Sequence, residues 1–211
     1  MWLRRYFEQA LKLLAAAVVL SAAGCASTGS REEGPSGAQS GAQPEIPPQA
    51  QTLFEQAVSV MAAGDYDEAE LRLKEFLLQY PAYPGAYVDL AIIQAKNGDD
   101  EAAQQSIDAA LALNPDYPPA LNQQGMLLRR KGKFGEAEAA YLKAVTAAPD
   151  YALAHYNLGV LNELYLQHLD AALQHFETYQ DLVGGDEEVE KWIADLKRRV
   201  TANQRTANAA E

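Results

Sequence analysis

The sequence predicts an all-α fold, a right-handed solenoid of about four helix-turn-helix units closed by a C-terminal helix. Three observations predict it. Residues recur at a fixed spacing, apolar side chains within each unit fall on helical faces, and one amphipathic stripe follows the last unit. Gly64, Gly98 and Gly132 stand 34 positions apart, and Ala69, Ala103 and Ala137 keep the same beat. So do Pro81, Pro115 and Pro149, and Tyr83, Tyr117 and Tyr151. A 34-residue unit has room for two short helices and their turns, the signature of helical repeat arrays. Such arrays present extended binding surfaces and seldom build a catalytic pocket.

The second unit, 84–117, shows how one cycle is built. Tyr87, Leu90, Ala91 and Gln94 are spaced to share one helical face. Gly98 ends this helix, because glycine accepts the left-handed conformation of a tight C-cap. Asp99 is placed to cap the next helix by accepting from a free backbone N–H. Ala103, Ile107, Ala110 and Leu111 then form the inner face of the second helix. Asn114-Pro115 closes the unit, since proline lacks the N–H a continuing helix needs. The alanines at 69, 103 and 137 let paired helices approach, and a larger side chain there would cost roughly 1–3 kcal/mol.

The turns carry a further signature. Gly64-Asp65-Tyr66-Asp67-Glu68-Ala69 and Gly132-Lys133-Phe134-Gly135-Glu136-Ala137 read glycine, any residue, aromatic, then alanine three positions on. In this the chain resembles the tetratricopeptide repeat family, with Asp100 in the second unit where an aromatic is expected. The resemblance covers about residues 51–183, as units of about 50–83, 84–117, 118–151 and 152–183. The fourth unit begins in register with His155, Leu158 and Gly159, then carries one extra residue around Leu166 to Leu169. Beyond it Ala172, Phe176 and Tyr179 return to register.

An array needs a cover on its last stacking face. Residues 186–200 supply it, with Val189, Trp192, Ile193, Leu196 and Val200 on one stripe. Acidic residues at its start and Lys197, Arg198 and Arg199 at its end suit the helix dipole. Trp192 is read as a packing residue. The tail, 201–211, is polar and is expected to fray.

A different sequence precedes the array. Arg4, Arg5 and Lys12 lead into an apolar run from Leu13 to Leu20, then Ser21-Ala22-Ala23-Gly24-Cys25. This pattern predicts a signal peptide over 1–24, with an apolar core too short to span a bilayer, which takes about 20 residues. Ala22-Ala23-Gly24-Cys25 resembles the lipobox of bacterial lipoproteins. That resemblance implies cleavage before Cys25 and acylation of its thiol. Cys25 is the only cysteine, so it has no disulfide partner within the chain. Ala26, where aspartate would favour inner-membrane retention, implies outer-membrane anchoring facing the periplasm. Residues 25–50 are rich in Gly, Ser, Gln and Pro and predict a flexible tether, with ends about 25–30 Å apart on average.

Charge excludes several classes of partner. Beyond residue 24 there are 14 Lys and Arg against 28 Asp and Glu. So acidic a chain is repelled by nucleic acid and anionic lipid headgroups. Arg129-Arg130-Lys131-Lys133 is the one basic cluster of the array, read as a solvated helix end. Between 51 and 200 the only serines are Ser59 and Ser106, and neither lies in a Gly-x-Ser-x-Gly elbow. No phosphate-cradling loop and no His-Glu-x-x-His occurs. His168 and His175 lack an evident third ligand. No enzyme activity, cofactor, metal site or small-molecule substrate is expected.

The family resemblance implies a binding groove lined by the second, fifth, ninth and twelfth positions of each first helix. The residues that stand out there are Phe54, Val58 and Met61 in the first unit, and Val88 and Ile92 in the second. Met126 and Arg129 come from the third, and Leu153, Tyr156 and Val160 from the fourth. Apolar residues on a face expected to meet solvent mark a binding surface, suited to a protein or peptide segment with apolar anchors. Val88 and Ile92 occupy places where chaperone-binding members carry part of a carboxylate clamp, so that role is rejected. The resulting expectation is a membrane-anchored periplasmic adaptor for envelope complex assembly. A pilotin-like role in secretin or type IV pilus assembly, or regulation of a cell-wall hydrolase, are the alternatives.

Overall fold

The computed structural model describes residues 47–208, and among them the chain is entirely helical. The expected signal peptide, Cys25, most of the tether and residues 209–211 lie outside the described residues. The chain divides into two compact units, one reaching to Ala69 and one beginning at Glu70.

In the first, α1 (Pro48–Ala63) opens on a proline, whose fixed φ and missing N–H suit a first helical turn. Gly64 closes it at φ 89°, donating to the Met61 carbonyl at 3.1 Å. Asp65 Oδ1 accepts from the Glu68 N–H at 3.2 Å and opens α2 (Tyr66–Gln79). The glycine–aspartate turn is thus a C-cap followed directly by an N-cap. Ala50, Ala57, Met61 and Ala69 are fully buried.

The second compact unit repeats the device. It contains α2 from Glu70 onward, then α3 (Pro84–Asn97), α4 (Asp100–Leu113), α5 (Pro118–Arg130), α6 (Phe134–Ala147), α7 (Ala152–Leu161), α8 (Leu169–Val183) and α9 (Glu187–Asn208). Gly98 adopts φ 85°, and Asp99 Oδ1 accepts from Ala102 N–H at 2.9 Å, as the sequence predicts. Helices pair as α3–α4, α5–α6 and α7–α8, and α3, α5 and α7 lie side by side. This is the packing of an α-solenoid built from helix-turn-helix units.

What locks each hairpin is a match of sizes. Gly125 on α5 faces Tyr141 on α6, and a Cβ added there would lie 2.5 Å from Tyr141 Cε1. Gly159 on α7 faces Phe176 on α8 in the same way, at 2.6 Å. In α3 and α4, Ala91 shares a core cluster with the smaller Ile107. Where the second helix carries a ring, the first carries only a hydrogen. Burying each large apolar side chain contributes about 1.5–3 kcal/mol.

The extra residue of the fourth unit is absorbed by a π-helical turn, Asn162–Leu166, at the end of α7. Such a turn adds one residue to a helix without breaking it. Gln167 follows at φ 59°, the only non-glycine residue in the left-handed region among those described. The His168 N–H donates to the Asn162 carbonyl at 2.9 Å, closing the loop. Phe176 then arrives opposite Gly159 despite the insertion.

Helix α9 packs on α8 and buries Val189, Ile193, Leu196 and Val200. It continues to Asn208, beyond the expected end at Val200 and into the segment expected to fray. Alanine, glutamine and arginine there are good helix formers. The Thr201 and Thr206 hydroxyls donate back to the Lys197 and Ala202 carbonyls, at 2.7 and 2.9 Å.

Candidate binding pocket at the second and third repeats

A pocket of about 320 Å³ opens among α3, α4, α5 and the π-helical turn. Its apolar wall comes from Ala91, Ala95, Ile107, Met126 and Leu127, its polar groups from Gln123, Arg129 and Arg130, and Tyr165 stands at its edge. Tyr165 reaches this place from the turn that absorbs the extra residue, stacking on Phe134 with ring centroids 4.6 Å apart. Two of the predicted groove residues, Met126 and Arg129, line it; Ile92, on α3, is half-buried against the neighbouring core.

The basic cluster of the sequence separates into different roles. Arg130 donates to the Ala95 carbonyl and to Asp100, tying α5 to the preceding hairpin. Lys133 pairs with Glu136 at 3.1 Å on the surface. Arg129, half-buried in the pocket wall, has no ion-pair partner among the described residues. Beside it the Tyr141 hydroxyl is buried with no hydrogen-bond partner among the described residues. Burial raises that hydroxyl's pKa and the Arg129 charge partly offsets the rise.

The other predicted groove residues fare differently. Val88 is only 3 % exposed, enclosed with Ala110 and Ala120, and Met61 is fully buried. The expectation that both would face solvent is therefore wrong. At Val88 the small alanines of α4 and α5 let those helices close over the fifth position. In the first compact unit Phe54 and Val58 are half-buried. In the fourth repeat Leu153 is half-buried on α7. Tyr156 and Val160 pack against the core made by α8 and α9. The Tyr156 ring lies 5.2 Å from Tyr179 and 6.0 Å from Trp192, and Trp192 lies 5.6 Å from Phe176. Glu163 pairs with Arg199 of α9 at 2.6 Å. Trp192 therefore packs, as the sequence suggested, while Tyr156 and Val160 are held by the chain's own last helix.

Two polar arrangements buried in the array escape the sequence pattern. Asn157 Nδ2 donates to Asn122 Oδ1 at 2.9 Å, linking α7 to α5 at positions that are fully buried. His155 and His175 face each other with Nδ1 atoms 3.1 Å apart. The His155 Nε2 lies 3.0 Å from the Pro149 carbonyl, which can only accept, so this nitrogen carries the proton. His155 Nδ1 is then the acceptor and His175 Nδ1–H the donor. Burial lowers both pKa values, and the His155 charge adds to the lowering at His175, which falls to about 4. His168 instead faces Asn162 Oδ1 at 3.2 Å. Among the described residues, no cluster of three or more His, Cys, Asp or Glu is placed to hold a metal ion. No helix among them is long and apolar enough to cross a membrane.

Two tetratricopeptide-repeat family models match the chain, over residues 60–124 and 122–187. The chain is a tetratricopeptide repeat protein. Its family is one of protein–protein interaction scaffolds. No curated protein matches it. Among solved structures, PilF of Pseudomonas aeruginosa is similar at 23% identity, covering 74% of this chain and 72% of PilF, with a TM-score of 0.64. MamA from Desulfovibrio magneticus RS-1 is similar at 21% identity, covering 78% of this chain and 92% of MamA, with a TM-score of 0.58. The first tetratricopeptide domain of Spaghetti (RPAP3), solved with the HSP90 peptide SRMEEVD, matches at 22% identity and a TM-score of 0.50. It covers 57% of this chain and 97% of its own. At these identities the likeness is one of fold.

In this tetratricopeptide repeat protein the pocket depends on residues the groove pattern leaves out. Gln123 is the sixth residue of its unit, and Tyr165 belongs to the inserted turn. The extra residue is visible in the sequence as a register shift. Its consequence, an aromatic delivered to the neighbouring junction, depends on the π-helical path.

Proposed function

We propose that this protein is a lipid-anchored periplasmic adaptor, held at the outer membrane through acyl chains on Cys25. Its repeats take up an apolar-anchored segment of a partner protein and bring that partner to the membrane for envelope complex assembly, without chemistry of their own. One acyl chain holds a protein only weakly and two or more make attachment durable, so the anchor suits a permanent resident. The observation that carries the binding half is the pocket of about 320 Å³, which contains Met126 and Arg129 from the predicted groove. That volume is at the lower end of ligand pockets, roughly 300–1,000 Å³, and fits one anchoring side chain.

Each half has its own test. Cys25→Ala is expected to move the protein from the detergent phase to the aqueous phase on partitioning, and retention in the detergent phase would refute the anchor. Met126→Glu with Arg129→Glu is expected to abolish partner capture in a periplasmic pull-down while the helical circular dichroism persists. Val88 is unsuitable for this test because a charge at a buried position would unfold the repeat. The second reading, a pilotin-like role, rests on the fold shared with PilF. Under it, secretin multimers disappear when the gene is deleted.

A further inference from the structure

We infer that the pocket between the second and third repeats recognises an apolar side chain flanked by a single internal carboxylate, an aspartate or glutamate of the partner segment. This rests on the reading of the pocket as the partner site and specifies what that site selects. Arg129 is a pocket cation with no ion-pair partner among the described residues, while its neighbour Arg130 is committed to Asp100 and the Ala95 carbonyl. A guanidinium presents its donors as a planar fork that matches a carboxylate.

The second observation is independent of charge. Gln123 lines the same pocket, is 7 % exposed, and has no hydrogen-bond partner among the described residues. Its amide is not enclosed: the polar end of this otherwise buried side chain meets the open space of the pocket, where an occupant can bond it. Its remaining contact is with the pocket, so an occupant with a polar edge is favoured over a wholly apolar one. The apolar wall of Ala91, Ala95, Ile107, Met126 and Leu127 takes the side chain. Tyr165, 46 % exposed and packed on the Phe134 ring, also lines the pocket.

The charge of the whole chain limits how acidic the occupant is. At a net charge of −12 the protein repels an acidic run at long range. A lone carboxylate brought against Arg129 gains its pairing at short range with little of that repulsion. The recognised pattern is therefore one acid beside one large apolar residue. It differs from a chain-terminal carboxylate, which would require several converging donors.

Short fluorescein-labelled peptides, acetylated or dye-capped at one end and amidated at the other, test this against the full chain by fluorescence anisotropy. Each carries Leu, Phe or Trp with Asp, Asn or Lys at the adjoining position, in a Gly-Ser background. The Asp peptides are expected to bind about tenfold tighter than their Asn counterparts, and the Lys peptides weakest. Arg129→Gln should bring Asp and Asn peptides to equal affinity with unchanged Tm. Gln123→Ala should weaken both. Equal affinity for Asp and Asn in the unmodified protein, or a preference that survives Arg129→Gln, overturns the acid-anchor inference and leaves the apolar pocket standing. Tighter binding of a peptide with a free C-terminal carboxylate after the apolar residue overturns it in favour of a chain end. If no peptide binds, or Met126→Glu leaves all affinities unchanged, the pocket reading falls with it.

Discussion

The third and fourth repeats place the same helical positions in different surroundings. In the third, Met126 packs partly on the core of Tyr141, Leu158 and Leu161 but also lines a pocket with Arg129, which has no counter-ion among the described residues. In the fourth, Val160 packs against the core of α8 and α9, and Glu163 is paired with Arg199. Position within the repeat is shared, so it cannot be what makes a binding site. The neighbour decides. Where α9 follows, the fourth-repeat positions become stacking residues; between the second and third repeats, a pocket remains, lined in part by Tyr165 of the π-helical turn. The sequence resemblance assigns both sets to one groove, and the structure divides them.

Perturbing the fourth-repeat region should give the largest effect. Phe176 is fully buried, faces Gly159 and contacts both Tyr156 and Trp192. Phe176→Ala is expected to cost about 3–5 kcal/mol in urea unfolding. A loss below about 1 kcal/mol would mean that α7, α8 and α9 do not share a core.

The pocket side is sharpened by Gly125→Ala. The added methyl meets the Tyr141 ring at 2.5 Å and must push α5 from α6, at an expected cost of about 1–3 kcal/mol. Gly135→Ala, where an added Cβ meets nothing within 4 Å, serves as the control and should raise the midpoint slightly or leave it unchanged, because alanine is the better helix former.

A smaller effect should come from the histidine pair. His175 has a folded pKa of about 4, below its ordinary 6.5, so the unfolded chain takes the proton first as pH falls. The pair's contribution is complete above 6.5 and is lost as pH drops toward 4. Allowing for residual solvent at this half-buried site, the loss is about 1–2 kcal/mol. Asp89, whose carboxyl burial pushes up to about 7, acts in the opposite sense. Comparing the protein with His175→Gln removes the Asp89 term, which both share. The stability difference should shrink from pH 7 to pH 5, and a difference constant across that range would contradict the assigned pairing.

Much of the fold was legible because it is periodic. Gly98 and Asp99 form the expected cap pair, and the 34-residue spacing returns as stacked hairpins. The site was legible only in part. Met126 and Arg129 were found through the repeat pattern, but Gln123 sits at a position outside the groove pattern and Tyr165 follows from a π-helical path that periodicity does not encode. Val88 was misread because small alanines on two neighbouring helices bury it. His155 and His175 meet across a hairpin, twenty residues apart, where no local spacing links them.

Site-specific photocrosslinking in living cells tests the central contrast most directly, with the crosslinker placed at Met126 in one strain and at Val160 in another. The account predicts a partner adduct from Met126 and only intramolecular products from Val160. A partner adduct from Val160 with none from Met126 would contradict it.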